Sequence, residues 1–162
     1  MTCLVSLALA ACGFTPIYKI NGDAGGAVRL AALAVPESEN GRALTTALRG
    51  RWVKDAAAGY ELRLTIDETA RDTQLDAQGI GAREEVSFIV RGALRGPDGR
   101  SKLFTLSEQA SMAKTQSGAD DLMQRRNLAR LAMQSLADQL LLRLSREGLS
   151  QKSPAGEAAG KE

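Results

Sequence analysis

The 162-residue chain has no histidine. That removes the commonest general base, the Ser-His-Asp and Cys-His arrangements of nucleophilic catalysis, and most transition-metal sites. Cysteine is nearly as scarce, with Cys3 and Cys12 the only two. Aromatic residues make up 4% of the chain, so a core has to be built from Leu, Val, Ile and Ala. An excess of one charge is missing too. The 21 basic and 19 acidic residues leave a net +2, too balanced to attract nucleic acid by bulk charge. No glycine-rich phosphate loop is present, because Gly79-Ile80-Gly81 lacks the third glycine and opens no helix. The carboxylate pairs Glu84-Glu85 and Asp120-Asp121 are sequence neighbours that do not face each other on a strand, and the second pair suits a helix N-terminus. These absences predict a protein without catalytic residues, cofactor or metal.

What is there begins with an apolar leader. Leu4 to Ala11 is too short to span a bilayer, which takes about 20 apolar residues, and it has the length of a signal-peptide core. Leu9-Ala10-Ala11-Cys12 resembles a bacterial lipobox, in which cleavage before the cysteine leaves it as an acylated first residue. Acyl chains add about 0.8 kcal/mol of membrane affinity per buried CH₂. Residues 1–11 are therefore expected to be a signal peptide and Cys12 the lipid anchor, which leaves no free thiol in the mature chain. Gly13, in place of an aspartate, is compatible with export to the outer membrane. Basic residues usually open such a leader, and none precedes Lys19, so a few residues are expected upstream of Met1. The other reading of 4–11 is an ordinary apolar strand or short helix with Cys12 a buried thiol, in a chain that stays in the cytosol.

The remaining ~150 residues suit one domain, large enough to bury roughly 70% of its unfolded surface without disulfides. Residues 12–26 carry Pro16, Asn21-Gly22 and Gly25-Gly26 and read as a lipidated tether. Val28 to Val35 reads as a strand ended by Pro36. Ser38 to Val53 reads as a helix capped by Ser38, with Leu44, Leu48 and Trp52 four residues apart. From Tyr60 to Ala70 apolar and polar residues alternate, the mark of a half-buried antiparallel strand. The pattern fades after Ala70 and resumes at Val86, Phe88 and Val90, with Gly79 and Gly81 as the turn between. Gly96-Pro97-Asp98-Gly99 is a second turn, leading to a strand from Leu103 to Met112. Ser117 to Gly148 reads as a long helix whose Leu128, Ala132, Leu136, Leu140 and Leu144 form a core stripe, with Gly148 just past its end. Residues 149–162 have no apolar period and read as a disordered tail.

Local basic runs stand out on this near-neutral chain: Arg42, Arg49, Arg51 and Lys54, then Arg91, Arg95, Arg100 and Lys102. They suit an anionic ligand or lipid headgroup, or else solvated strand and helix faces.

The order of elements, the Cys12-Gly13-Phe14 start, the Leu44-Thr45-Thr46-Ala47-Leu48-Arg49 helix pattern, the long hairpin, the Phe104 strand and Ala110-Ser111-Met112-Ala113-Lys114 together resemble the LptE family. These are lipopolysaccharide-assembly lipoproteins of Gram-negative bacteria. The resemblance covers nearly all of the mature chain. It implies an α+β two-layer sandwich over residues 27–148, with two helices on one face of a four-stranded, mostly antiparallel sheet in the order β-α-β-β-β-α. It implies a lipid-anchored, periplasm-facing protein of the outer membrane that plugs the β-barrel LptD, assists its assembly and takes part in lipopolysaccharide transport. The family's basic residue before the last helix corresponds to Lys114. Its basic residue at the hairpin tip falls near Ala77, and Arg83 is the nearest cation here. Lys114, Arg83, Arg91 and Arg95 are the candidate lipopolysaccharide contacts, and Glu61, Arg63, Thr65, Arg91 and Arg95 are expected on the exposed sheet face. The partners implied are the barrel, lipopolysaccharide and a membrane, with no nucleic acid. The alternative is a lipoprotein that binds another lipid or serves another envelope complex.

Overall fold

The computed structural model describes residues 27–75, 77, 81–115 and 117–149. The expected signal peptide, Cys12 anchor and tether, the Gly79 turn and residues 150–162 of the expected tail lie outside them. Chain order is β1 (Val28–Leu30), β2 (Ala32–Ala34), α1 (Glu39–Leu48), β3 (Trp52–Lys54), a short 3₁₀ turn (Ala56–Ala58), β4 (Glu61–Leu75), β5 (Gly81–Arg95), β6 (Ser101–Ala113) and α2 (Gly118–Arg146).

A four-stranded sheet runs β2-β4-β5-β6, antiparallel except for the parallel β2–β4 pair. Both helices cover one face, so the expected two-layer α+β sandwich is the observed fold. Alternation decides which residues face the helices. Leu62 and Leu64 on β4, Val86, Phe88, Val90 and Leu94 on β5, and Met112 on β6 are buried. Their odd-spaced neighbours Glu61, Arg63, Thr65, Arg91 and Arg95 are exposed on the bare face, where the sequence pattern put them. The α2 stripe meets this core through Ala132, Met133, Leu136, Ala137, Leu140 and Leu144, and α1 adds Leu44 and Leu48. Among the described residues no helix is long and apolar enough to cross a membrane.

Ser38 caps α1 through its hydroxyl, which accepts from the Gly41 N–H at 3.0 Å, and Ser117 does the same for Asp120 at 3.4 Å. The turn between β5 and β6 has Gly99 at φ 76°, which glycine adopts without steric cost.

The structure corrects the sequence reading at four places. The apolar run 28–35 is two strands in two sheets, broken at Ala31. β1 pairs in parallel with β3 to form a separate two-stranded sheet. The first helix ends at Leu48, because Gly50 turns the chain at φ 74° and sends Trp52 into β3 instead of a fourth helical turn. β4 continues to Leu75 and β5 begins at Gly81, so Gly81 belongs to the strand and not to the turn. Leu149 is core and not tail: it is 6% exposed, and its carbonyl accepts from the Arg29 N–H at 3.1 Å.

Candidate functional site

The four candidate cations do not converge. Arg83, Arg91 and Arg95 all project from the bare face of β5. Arg83 and Arg95 are twelve residues apart in one strand, about 40 Å by the strand rise. Lys114 follows Ala113, which is paired with Arg83, and the alternation turns its side chain to the helix-covered side. Two groupings result: Lys114 at the hairpin end under the start of α2, and Arg91 and Arg95 with Arg63 at the opposite end of the bare face.

The Lys114 grouping is a polar continuation of the core. Beyond Leu62, Leu64 and Ile66, the helix-facing positions of β4 become Glu68, Ala70 and Asp72, and on β5 Glu84 faces the same way. Lys114 Nζ donates to Asp72 Oδ1 at 2.6 Å, and its backbone N–H donates to the Ala82 carbonyl at 3.0 Å. Arg125 of α2 meets Glu68 at 3.0 Å and Glu84 at 3.8 Å, and Asn40 donates to the second Glu68 oxygen at 2.7 Å. The hydrogen bond to Asp72 is the main cause that holds the Lys114 ammonium charged above the ordinary lysine range. Desolvation opposes it, and the charges of Asp72, Glu84 and Asp121 add to it. An anion arriving here meets a cation that Asp72 already neutralises.

The bare face is different. Arg91 is paired with Asp67, and Arg71 with Glu85 at 2.6 Å. Arg63 and Arg95 make no ion pair with a described residue. They flank an open hollow of about 330 Å³ whose floor is Ala32, Ala34 and Ala93 and whose rim includes Glu61 and Ser101. The hollow exists because alanines on β2 and β5 flank the Arg63 backbone at one level, Ala34 on one side and Ala93 on the other. A second open hollow, of about 220 Å³, lies towards the hairpin between Thr69, Arg71, Glu85, Ser87 and Gln109. Among the described residues no cluster of three or more Asp, Glu, Cys or His side chains could hold a metal ion.

Sequence reasoning missed Glu68, Asp72, Glu84 and Arg125. The signal was available, since extending the period-two pattern past Ile66 places Glu68 and Asp72 on the covered face. An apolar search stops at the first charge.

No protein-family model matches the chain, and no curated protein matches it. Solved structures do. Rare lipoprotein B from Shewanella oneidensis superposes with a TM-score of 0.60 at 19% identity, over 72% of this chain and 96% of its own. A minor lipoprotein from Acinetobacter baumannii gives 0.54 at 19%, over 76% and 95%. Lipoprotein B from Nitrosomonas europaea gives 0.55 at 14%, over 81% and 92%. At these identities the likeness is one of fold, and this chain shares the sandwich of those bacterial lipoproteins over nearly their whole length.

Proposed function

We propose that the protein is a lipid-anchored envelope lipoprotein of the LptE type, held by Cys12 in the outer membrane and facing the periplasm. In this reading it plugs an LptD-like β-barrel and handles lipopolysaccharide during assembly and transport, and it has no catalytic role. The observation that carries the reading is the pairing of that fold with a broad, bare, polar sheet face. A large barrel has a polar lumen, and a plug has to present polar groups on a flat wall. Here Glu61, Arg63, Thr65, Asp67, Thr69, Arg71, Ser87, Arg91 and Arg95 supply them. The lipobox-like leader and the lipoprotein identity of the solved relatives support the envelope location.

Pulling on the tagged full chain from detergent-solubilised outer membranes is expected to recover a large β-barrel. Recovery of none overturns the plug reading, even with the fold unchanged. The lipopolysaccharide part has its own test. Lys114→Gln is expected to weaken retention of purified lipopolysaccharide. Asp72→Asn is expected to strengthen it, because the ammonium loses its internal partner while the charge-assisted bond to phosphate remains. Equal retention by both variants at low ionic strength removes Lys114 from the contact.

A further inference from the structure

Among the described residues, most of strand β4 has no neighbour on one side. β2 pairs with it only at Glu61, Leu62 and Arg63. Three backbone bonds fix which groups are left over. The Tyr60 carbonyl accepts from Ala31 on the β2 side, and the Gly96 and Lys114 N–H groups bond to Arg100 and Ala82 across β5–β6. By alternation, odd-numbered residues of β4 bond to β5. The parallel β2 ladder takes up the Leu64 N–H through Ala34, and beyond it the N–H and C=O groups of Ile66, Glu68, Ala70 and Asp72 point away from the sheet. No backbone group among the described residues bonds to them outside the ladder. The strand is exposed from Asp67 to Leu75.

An open edge invites a second strand, and proteins usually block it with proline, lysine or a bulge. β4 has no proline or lysine, and its register shifts only beyond Asp72. The inward carboxylates Glu68 and Asp72 would deter a second strand, but they are already bonded by Arg125 and Asn40 and by Lys114. The other edge of the sheet, β6, lies beneath α2: Ser135 and Gln139 both donate to Glu108 at 3.0 Å. A second copy approaching along β6 would bring its own α2 against this one.

We infer that the free edge of β4 is a docking surface for the β4 of a second copy, antiparallel and centred on Thr69. The outward side chains read Asp67, Thr69, Arg71, a pattern that becomes its own complement when reversed. Thr69 then faces Thr69, and each Asp67 faces an Arg71. On the helix side Glu68 faces Ala70 and Ile66 faces Asp72, so no like charges lie directly opposite. Registers centred on Asp67, Glu68 or Arg71 set each of those charges against itself, and one centred on Ala70 sets Glu68 against Asp72. A register centred on Ile66 runs into Leu62, where β2 already sits. The edge-facing residues 66, 68, 70 and 72 then exchange about eight interstrand bonds, and cross-strand Thr–Thr and opposite-charge pairs favour the same register. The inference does not depend on the plug reading.

The test uses the full chain with Cys3→Ser and Cys12→Ser. Sedimentation is expected to show a doubled mass at about 100 µM, and Asp67→Arg or Arg71→Asp alone to weaken the dimer at least about tenfold. The double exchange Asp67→Arg/Arg71→Asp is expected to restore it, although it breaks the internal pairs with Arg91 and Glu85. Thr69→Cys is expected to form a disulfide-linked dimer on mild oxidation and Thr65→Cys to stay single, with circular dichroism checking that each variant folds. A monomer at that concentration, a double exchange no better than the single ones, or equal crosslinking at 65 and 69 overturns the inference.

Discussion

Gly92 shows how much a single position can decide. It lies directly across from Phe104, and a Cβ there would fall 2.1 Å from the ring's Cζ and 2.6 Å from its neighbours. The ring cannot retreat freely, since the Arg143 guanidinium sits 5.6 Å above it. Gly92→Ala is therefore expected to destabilise the fold by about 1–3 kcal/mol through overpacking, seen as a lower urea midpoint with an unchanged slope. Nothing in the sequence marks Gly92, because no turn flanks it. Its role depends on a residue twelve positions away that only the hairpin register brings opposite. A second residue-scale effect is the Lys102–Glu147 ion pair, which joins the start of β6 to the end of α2. The hydrogen bond and charge of Lys102 hold Glu147 below the usual carboxylate range, and the same bond raises Lys102. Each shift favours the folded state. The glutamate part is present above the unfolded carboxylate value and is lost as pH falls through the depressed one. The lysine part is present below the unfolded lysine value and is lost as pH rises through the raised one. Lys102→Met is expected to lower melting slightly at mid-range pH and to converge on the unaltered protein as pH falls below about 4.5, which flattens the acid limb of a melting-temperature profile. An unaltered acid limb would show that the pair does not persist in solution.

Elements differ in how plainly the chain announces them. The long helix, the Pro-Asp-Gly turn and the first half of β4 follow from periodicity and turn chemistry, and they stand where these place them. β3 could not be read this way: Trp52 continues the four-residue spacing of Leu44 and Leu48, and only Gly50 interrupts it. The far half of β4 was harder to read for a different reason, since its helix-facing positions Glu68 and Asp72 are charged and break the apolar alternation. The same split appears in energetics. Leu136 is 1% exposed at the centre of the α2 stripe, and Leu136→Ala is expected to cost about 2–5 kcal/mol by calorimetry or denaturant melts. The first turns of α2 instead rest on the Arg125 ion pairs with Glu68 and Glu84 and on the Thr115–Asp121 bonds, while Leu122 and Met123 stay exposed. Ion pairs of this kind weaken with salt and apolar contacts do not. Raising ionic strength to about 1 M should therefore speed amide exchange at residues 120–124 more than at 133–140. Uniform exchange along α2 would contradict this division.

At the scale of the whole molecule the sandwich has one apolar interior and an outer sheet surface that no other described residue covers. The general placement of Glu61, Arg63, Arg91 and Arg95 on that surface was legible from alternation alone. That the candidate cations form two groupings on opposite faces was not, because it depends on strand length and on the side to which Lys114 turns. The uncovered face and the proposed anchor carry separate loads. Among the described residues the core closes between Val28 and Leu149, and the fold is expected to stand without Cys12. Replacing that cysteine tests attachment without disturbing the fold. Cys12→Ala is expected to move the protein from the membrane pellet to the soluble fraction while its thermal transition and circular dichroism match those of the anchored protein in detergent. Mass spectrometry of the unaltered protein is expected to find an acylated amino-terminal Cys12. Aggregation of the variant would mean that the cysteine packs in an interior. An unmodified cysteine in the native chain, recovered from the cytosol, would remove the anchor and the envelope location together.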